Sequence, residues 1–245
     1  MNYKFLLSVL ISCQSICAQE VKQDSISTKR ISYKELIIPS VLIGYGVIGI
    51  ESDALKNLNT EIKEEVNENI DHKITIDDFT QYLPAASVYG LNVMGIKGKS
   101  NFKDRTLILA TSYLLVVATT LPLKSITQIQ RPDGSSYNSF PSGHTATAFA
   151  GAEFLWQEYK DVSIWYGVSG YIVATGTGFF RMYNDRHWLT DVAAGAGIGI
   201  LCTKTAYWLY PKLQKLLFKK ETKAAVMVAP FYNGKQTGIG LVGRF

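Results

Sequence analysis

The apolar residues of this chain are gathered into long blocks that charged stretches separate. The blocks run at 35–50, 82–96, 106–123, 143–158, 163–180 and 190–210. Each is near the length at which a helix crosses a hydrocarbon core of about 30 Å, and this pattern is typical of a membrane protein. Block 106–123 is the clearest, whereas 82–96 is short and 35–50 contains Pro39. The sequence therefore predicts an all-α membrane helical bundle with five or six spans.

The N-terminal third has a different character. Residues 1–18 resemble an export signal, because a basic residue precedes an apolar run and the small residue Ala18 ends it. Residues 10–13 also loosely resemble a lipoprotein signal, so both cleavage and lipidation stay open. We predict a signal peptide over 1–18, followed over 19–75 by one weak apolar block and an acidic loop.

The C-terminal tail, 211–245, changes character again. A basic segment is followed by the stretches VMVAPF and TGIGLVGRF, which flank Asn233-Gly234. This pair strongly favours a tight hairpin turn. Two strands cannot close a membrane barrel, so we predict a small C-terminal β-hairpin as an appendage to the bundle.

Charge and cysteine content exclude some classes of protein. The formal net charge is +5, but the sequence has no long Lys/Arg tract with interleaved aromatic residues. We therefore expect no nucleic-acid partner. The three cysteines, Cys13, Cys17 and Cys202, offer neither a disulfide framework nor a CxxC metal site.

Basic residues also orient the bundle. They are concentrated before block 106–123, from Lys97 to Arg105, and again after the last block. Because cytoplasmic loops carry an excess of Lys and Arg, we predict both regions on the inner side. With a cleaved signal, this orientation requires one weak block not to cross, and we predict that 35–50 is that block. The alternative is an uncleaved N terminus with six true spans.

Two clusters of polar residues lie at block ends. Lys124 and Arg131 are seven residues apart, so a helix would place both cations on one face. Ser142, Gly143 and His144 precede an apolar run, where a helix start leaves backbone N–H groups free for an anion and Gly143 permits its close approach. The alternative interpretations are solvated anchors for the first cluster and a plain helix cap for the second.

A third cluster contains Arg181, His187 and Asp191. His187 and Asp191 are four residues apart, so a helix beginning near Trp188 would bring the carboxylate under the imidazole ring. The carboxylate would then hold one ring nitrogen protonated and leave the other free to attack, as in a catalytic dyad. A structural His–Asp pair at a helix start is the alternative.

Together the clusters resemble the signature of the type 2 phosphatidic acid phosphatase superfamily, which also contains the vanadium haloperoxidases. Its three motifs are Lys, six residues, Arg-Pro; then Pro-Ser-Gly-His; then Arg, five residues, His, three residues, Asp. Every spacing is met in order, over roughly residues 80–210. One position departs, because Phe180 stands where the family usually has Ser before the Arg of the third motif. Glu153, an acidic residue inside a predicted span, matches no motif.

The resemblance implies a role for each matching residue. The phosphate-binding residues would be Lys124, Arg131, Ser142, Gly143 and Arg181. His187 would be the nucleophile, Asp191 its orienting carboxylate, and His144 the acid that protonates the leaving alkoxide. No metal or other cofactor is expected.

The activity that the resemblance implies is a membrane phosphatase with its core over 76–210. It would release phosphate from a lipid through a phosphohistidine, at the periplasmic face of a bacterial-type inner membrane. Undecaprenyl diphosphate, lipid A phosphate, phosphatidylglycerophosphate and phosphatidate all fit as substrates. A soluble secreted acid phosphatase or a vanadium haloperoxidase is one alternative, and a non-catalytic lipid-binding protein is another.

Overall fold

The structure is a computed structural model that describes residues 32–67, 75–218, 225–232 and 237–244. The predicted signal peptide over 1–18 and the turn at Asn233-Gly234 lie outside these residues. The helices of the described residues are α1 (Tyr33–Glu51), α2 (Asp53–Asn67), α3 (Asp77–Thr80), α4 (Leu83–Val93), α5 (Phe102–Thr127), α6 (Gly143–Tyr159), α7 (Ile164–Tyr183) and α8 (Leu189–Leu217). The main body is therefore an all-α bundle.

Two strands follow the last helix. β1 (Ala225–Tyr232) and β2 (Thr237–Arg244) pair antiparallel, with Ala225 opposite Arg244 and Tyr232 opposite Thr237. They lie on either side of the Asn233-Gly234 pair, at the positions where the sequence predicts the hairpin strands.

Three helices of the described residues are long and apolar enough to cross a membrane, namely α1, α5 and α8. Block 35–50 thus has a span-like length, as the 19-residue helix α1, although Pro39 lies within it. Block 82–96 instead forms the 11-residue helix α4, which is only about 16 Å long at 1.5 Å per residue. Block 35–50, which the sequence predicts not to cross, therefore has the longer helix of the two weak blocks, and 82–96 is short, as the sequence indicates.

The acidic segment after α1 is helical over Asp53–Asn67, where the sequence predicts a loop. Leu55, Leu58, Ile62 and Val66 recur at spacings of three and four residues and are half-buried. This spacing places them on one face of a helix, with the charged residues on the other. The sequence predicts a loop here because the many acidic residues obscure the helical spacing of the apolar ones.

The central helix α8 packs against α1, α5 and α6, and α6 packs in turn against α7. Small residues allow the close contact between α6 and α8. A Cβ atom on Gly195 would lie 2.5 Å from the Ser142 carbonyl oxygen, and one on Gly199 would overlap the backbone of Ala146. Since a side chain at either glycine would separate the two helices, these glycines keep the N termini of α6 and α8 side by side.

Glu153, left unassigned by the sequence, belongs to a buried polar network. Its carboxylate accepts hydrogen bonds from Lys204 at 2.8 Å, Gln157 at 2.6 Å and the Tyr171 hydroxyl. The charge is thereby both paired and hydrogen-bonded, as a buried charge requires. Glu153 therefore links α6 to α7 and α8 inside the bundle.

Candidate active site

The three polar clusters meet at one end of the bundle. Here α5 and α7 end and α6 and α8 begin, so the loops 128–142 and 184–188 lie beside each other. The N–H of Asp133 donates to the carbonyl of Asp185 at 3.2 Å, and the N–H of Ser142 donates to the carbonyl of Asp191 at 3.0 Å. The packing of four helices thus brings together residues that are far apart in the sequence.

His187 and Asp191 are both buried at the start of α8. His187 Nδ1 lies 3.6 Å from Asp191 Oδ2, a distance slightly longer than a hydrogen bond. The same carboxylate oxygen accepts the Ser139 hydroxyl at 2.5 Å and the Trp188 N–H at 2.9 Å. Asp191 is therefore fixed in place, and Ser139, whose hydroxyl lies 3.5 Å from His187 Nδ1, is a third member of the group.

The surroundings of His187 keep its imidazole neutral. Burial lowers the pKa of His187 to about 4, and although Asp191 raises this pKa, the positive charges of Lys124 and Arg181 lower it again. A pKa this far below 7 means that the ring is unprotonated at neutral pH. A ring nitrogen with a free lone pair is what nucleophilic attack requires.

Lys124 and Arg131 converge on one residue, Asn138. The Lys124 ammonium donates to the Asn138 carbonyl at 2.5 Å, and Arg131 Nε donates to Asn138 Oδ1 at 2.8 Å. Burial lowers the pKa of Arg131, and the nearby charges of Arg181 and Arg186 lower it further. Cations that repel one another in a partly buried site favour the binding of an anion between them.

Ser142 and Gly143 form the N terminus of α6. The fully buried Ser142 hydroxyl caps this helix, since it accepts from the Thr145 N–H at 3.5 Å and also pairs with the Thr145 hydroxyl at 2.8 Å. A Cβ on Gly143 would meet only the Lys124 side chain, at 4.0 Å. The open space at Gly143, beside the first unpaired amides of a helix, is a suitable place for an anion.

Arg181 lies at the end of α7, and its Nη1 and Nε nitrogens differ in whether they have a hydrogen-bond partner. Nη1 donates to Asp77 at 2.5 Å, and Asn184 donates to the same carboxylate at 3.1 Å. Within the described part of the chain, the buried Arg181 Nε has no hydrogen-bond partner. A buried donor without an acceptor is costly, so an anion bound at this point would satisfy it.

His144 at the start of α6 is half-exposed and contacts Asp78 of α3. Its Nε2 lies 2.9 Å from Asp78 Oδ1. Four residues outside the three motifs contact the predicted site residues, namely Asp77, Asp78, Asn138 and Ser139. The sequence offers one signal for the two aspartates. They lie shortly before block 82–96, and the three motif clusters also lie at the ends of apolar blocks.

Asp77, Asp78 and His144 each place one possible ligand atom within 4.8 Å of the others, which is close enough for a metal ion. The sequence, read by spacing alone, predicts no such group, because its members come from distant segments. However, Asp77 already pairs with Arg181, and Asp78 with His144. These pairs account for the cluster, and we assign it no metal.

Helix α2 packs over the same end of the bundle. Asn59 donates to the Thr190 hydroxyl at 2.9 Å and Lys63 donates to the Pro132 carbonyl at 2.9 Å. A cavity of about 250 Å³ lies between α2 and the start of α8, with Trp188 and Asp191 in its wall. The N-terminal region thus encloses the Asp191 side of the site.

Comparison with known proteins shows which family this chain is similar to. The PAP2 superfamily model matches residues 105–215. A lipid A 1-phosphatase of Porphyromonas gingivalis is 39% identical over 148 residues, which are 60% of this chain and 32% of that protein. The bacitracin transport permease protein BcrC of Bacillus licheniformis is 34% identical over 77 residues, 31% of this chain and 36% of that protein. The chain therefore spans about a third of the length of these curated relatives.

A solved structure shares the fold. The transmembrane PAP2 type phosphatidylglycerolphosphate phosphatase of Bacillus subtilis aligns with a TM-score of 0.50 and 21% identity, over 76% of this chain and 98% of that one. This likeness agrees with the bundle described above, and the family match contains the predicted site residues from Lys124 to Asp191. Over residues 105–215 the chain is therefore similar to the PAP2 superfamily.

Proposed function

We propose that this protein is a membrane phosphatase that releases phosphate from a lipid phosphate or diphosphate without a metal. The observation that carries the proposal is the unpartnered, buried Nε of Arg181 within the described residues, close to two further cations and the neutral His187. Phosphoryl transfer needs fixed positive charge around the phosphoryl oxygens and a nucleophile in line with the leaving group. These residues offer both requirements at one site.

The proposed reaction has two steps. His187 attacks phosphorus, a P–N bond forms as the P–O bond to the lipid breaks, and protonated His144 gives its proton to the leaving oxygen. Water then attacks the phosphohistidine, its proton passes to His144, and inorganic phosphate leaves. Asp191 and Ser139 hold the His187 ring throughout. Lys124, Arg131 and Arg181 stabilise the charge on the phosphoryl oxygens, assisted by the Gly143 amide.

Ser142 has a smaller part in this proposal than the family resemblance implies. Its hydroxyl is engaged with Thr145, and its N–H donates to the Asp191 carbonyl. Contact with phosphate through the hydroxyl would require the cap to open. We therefore propose that Ser142 contributes by positioning Gly143 at the start of α6.

Lipid A carrying a 1-phosphate is the first substrate to test, because the relative that is 39% identical is a lipid A 1-phosphatase. Undecaprenyl diphosphate, phosphatidylglycerophosphate and phosphatidate remain candidates. A soluble secreted phosphatase or haloperoxidase is less well supported, since three helices of the described residues are long and apolar enough to span a membrane. A non-catalytic lipid-binding protein would not need a neutral histidine beside three cations.

The purified protein, in detergent, is expected to release inorganic phosphate from at least one of these four lipids in the presence of a chelator. The fixed cations replace the charge that a metal would supply, so the chelator should change the rate by less than about twofold. Vanadate, which mimics the five-coordinate state of phosphorus, should inhibit competitively. No release from any lipid would exclude the proposed function, and activity restored only by added magnesium would exclude the metal-free mechanism.

We propose further that the site faces the periplasm across a bacterial-type inner membrane. The basic segment Lys97–Arg105 ends in the first turn of α5, and the site lies beyond the other end of this helix, so a spanning α5 places them on opposite sides. In a cysteine-free background, single cysteines at Ser135 and Lys103, both exposed, should report the orientation. An impermeant thiol reagent should label Ser135→Cys in intact cells and Lys103→Cys only after lysis. The reverse pattern would place the site in the cytoplasm.

A further inference from the structure

Helix α3, a short acidic helix that precedes the residues matched by the family model, contacts His144, the acid of the proposed reaction. Asp78 of α3 lies 2.9 Å from Nε2 of His144, whereas the match begins only at residue 105. We propose that Asp78 is a positioning residue that holds His144 as the proton donor to the leaving group. This inference rests on the proposed function, because it assigns a partner to the acid of that reaction.

The position of Asp78 is fixed by its neighbours. Asp77 is buried and bound to both Arg181 and Asn184, and the Thr80 hydroxyl lies 2.9 Å from that of Thr177. Helix α3 is thus attached to the C-terminal half of α7 on both sides of Asp78. The Asp78 carboxylate therefore meets His144 from a rigid support, although its own side chain is half-exposed.

The contact also selects which nitrogen of His144 can act. Asp78 accepts the hydrogen on Nε2, so Nδ1 is the nitrogen that remains to face the leaving group. As the P–O bond breaks, the Nδ1 proton moves to the leaving oxygen and the ring becomes neutral. When water attacks the phosphohistidine, Nδ1 takes up one water proton and the ring returns to its starting state. Nε2 stays bound to Asp78 through both steps.

Charge gives a second reason for a carboxylate at this position. The groups that face His144 are Asp77 and Asp78 from α3 and Arg181 from α7. Burial lowers the pKa of His144, and the charge of Arg181, which must stay close by to bind phosphate, lowers it further. Both carboxylates raise this pKa. Asp77 binds Arg181 at 2.5 Å, whereas Asp78 lies 3.9 Å from Arg181 and hydrogen-bonds His144, so Asp78 is the carboxylate that stabilises the imidazolium most.

Replacement of Asp78 by Asn should impair departure of poor leaving groups. The test uses two amphiphilic phosphomonoesters of equal chain length, one that releases an alkoxide and one that releases a nitrophenolate. For the alkoxide, Asp78→Asn should lower kcat by about 10- to 100-fold, because proton donation is lost in part. For the nitrophenolate, which needs no proton, kcat should fall by less than about threefold. Asp78→Glu should restore part of the alkoxide rate.

The pH profile and a double mutant separate positioning from a structural role. In Asp78→Asn the basic limb of kcat for the alkoxide ester should move to lower pH, because the imidazolium loses its carboxylate. In a His144→Ala background Asp78→Asn should cause no further loss, since two residues that act through one group are not additive. Asp53→Asn, at a carboxylate 96% exposed and remote in sequence from the site, is the matched control and should leave both rates unchanged.

Two results would overturn the inference while the proposed function stands: equal losses for the two esters, or a further loss in the His144→Ala background. A wild-type protein that hydrolyses neither ester nor any of the four lipids would instead reject the proposed function, and this inference with it.

Discussion

Replacement of His187 by Asn is expected to lower the rate of phosphate release by about 10⁴-fold or more, with every substrate. Asparagine can fill part of the space and donate a hydrogen bond, but it cannot form the covalent intermediate, so the reaction loses its nucleophile. The pKa of about 4 for His187 means that the wild-type ring needs no base to activate it at pH 7. Initial rates of phosphate release by wild type and variant, at equal protein concentration, provide the measurement.

A trapping experiment distinguishes loss of the nucleophile from misfolding. Phosphohistidine survives alkali and is destroyed by acid, so ³²P-labelled substrate, quenched with alkaline detergent, should label wild type and not His187→Asn. His144→Asn is the informative companion, because it keeps the nucleophile and should still be labelled by an ester with a good leaving group. Alkali-stable label in His187→Asn would show that another residue carries the phosphoryl group. Equal thermal stability of the variants would exclude unfolding as the cause of lost activity.

The family was predictable from sequence because its evidence is short-range. Lys124 and Arg131 are seven residues apart, and His187 and Asp191 are four apart, so the motifs can be recognised by spacing alone. Helix α5 ends at Thr127, however, so Arg131 lies in the following loop and not on one helical face with Lys124. The family match confirms the predicted resemblance to this superfamily over residues 105–215. The roles of the individual residues stay predictions, although the structure brings their side chains to one end of the bundle.

The supporting residues could not be predicted in this way. Asp78 contacts His144 across 66 positions, and Ser139 contacts Asp191 across 52. No local period links such pairs, since their contact depends on how α3, α6 and α8 pack. The predicted sites were thus the residues with a regular spacing, and the missed ones were partners supplied by tertiary structure.

Helix lengths were misjudged for a different reason. Hydropathy alone joins residues 82–96 into one block, but Pro84 lies in the first turn of α4 and Gly95 follows it with φ of +90°. Proline at a helix start and a left-handed glycine after its end are local signals that delimit an 11-residue helix. In α2 the apolar residues recur at helical spacing, but the many acidic residues of the segment led to the prediction of a loop.

Replacement of Arg181 by Lys is expected to lower kcat by about 10²-fold although the charge is retained. In the proposed mechanism Arg181 has two tasks, since Nη1 binds Asp77 while Nε, which has no partner among the described residues, binds the phosphoryl group. A lysine ammonium is a point charge without the planar fork, so it cannot serve both acceptors in the same geometry. Because charge on the phosphoryl oxygens is redistributed most in the transition state, the loss should fall mainly on kcat and less on KM.

Arg186→Lys is the matched control for this change. Arg186 lies five positions after Arg181, is 38% exposed and pairs with Asp133 at 3.3 Å. It acts on the site through its charge, which lowers the pKa of Arg131, and a lysine would keep that charge. Charge-preserving replacement there should change kcat by less than about threefold, as expected for an exposed ion pair. Vanadate inhibition should weaken in Arg181→Lys in parallel with kcat, because both report binding of the five-coordinate state. Equal effects of the two substitutions would mean that Arg181 contributes only charge, and that its unpartnered Nε does not bind the phosphoryl group.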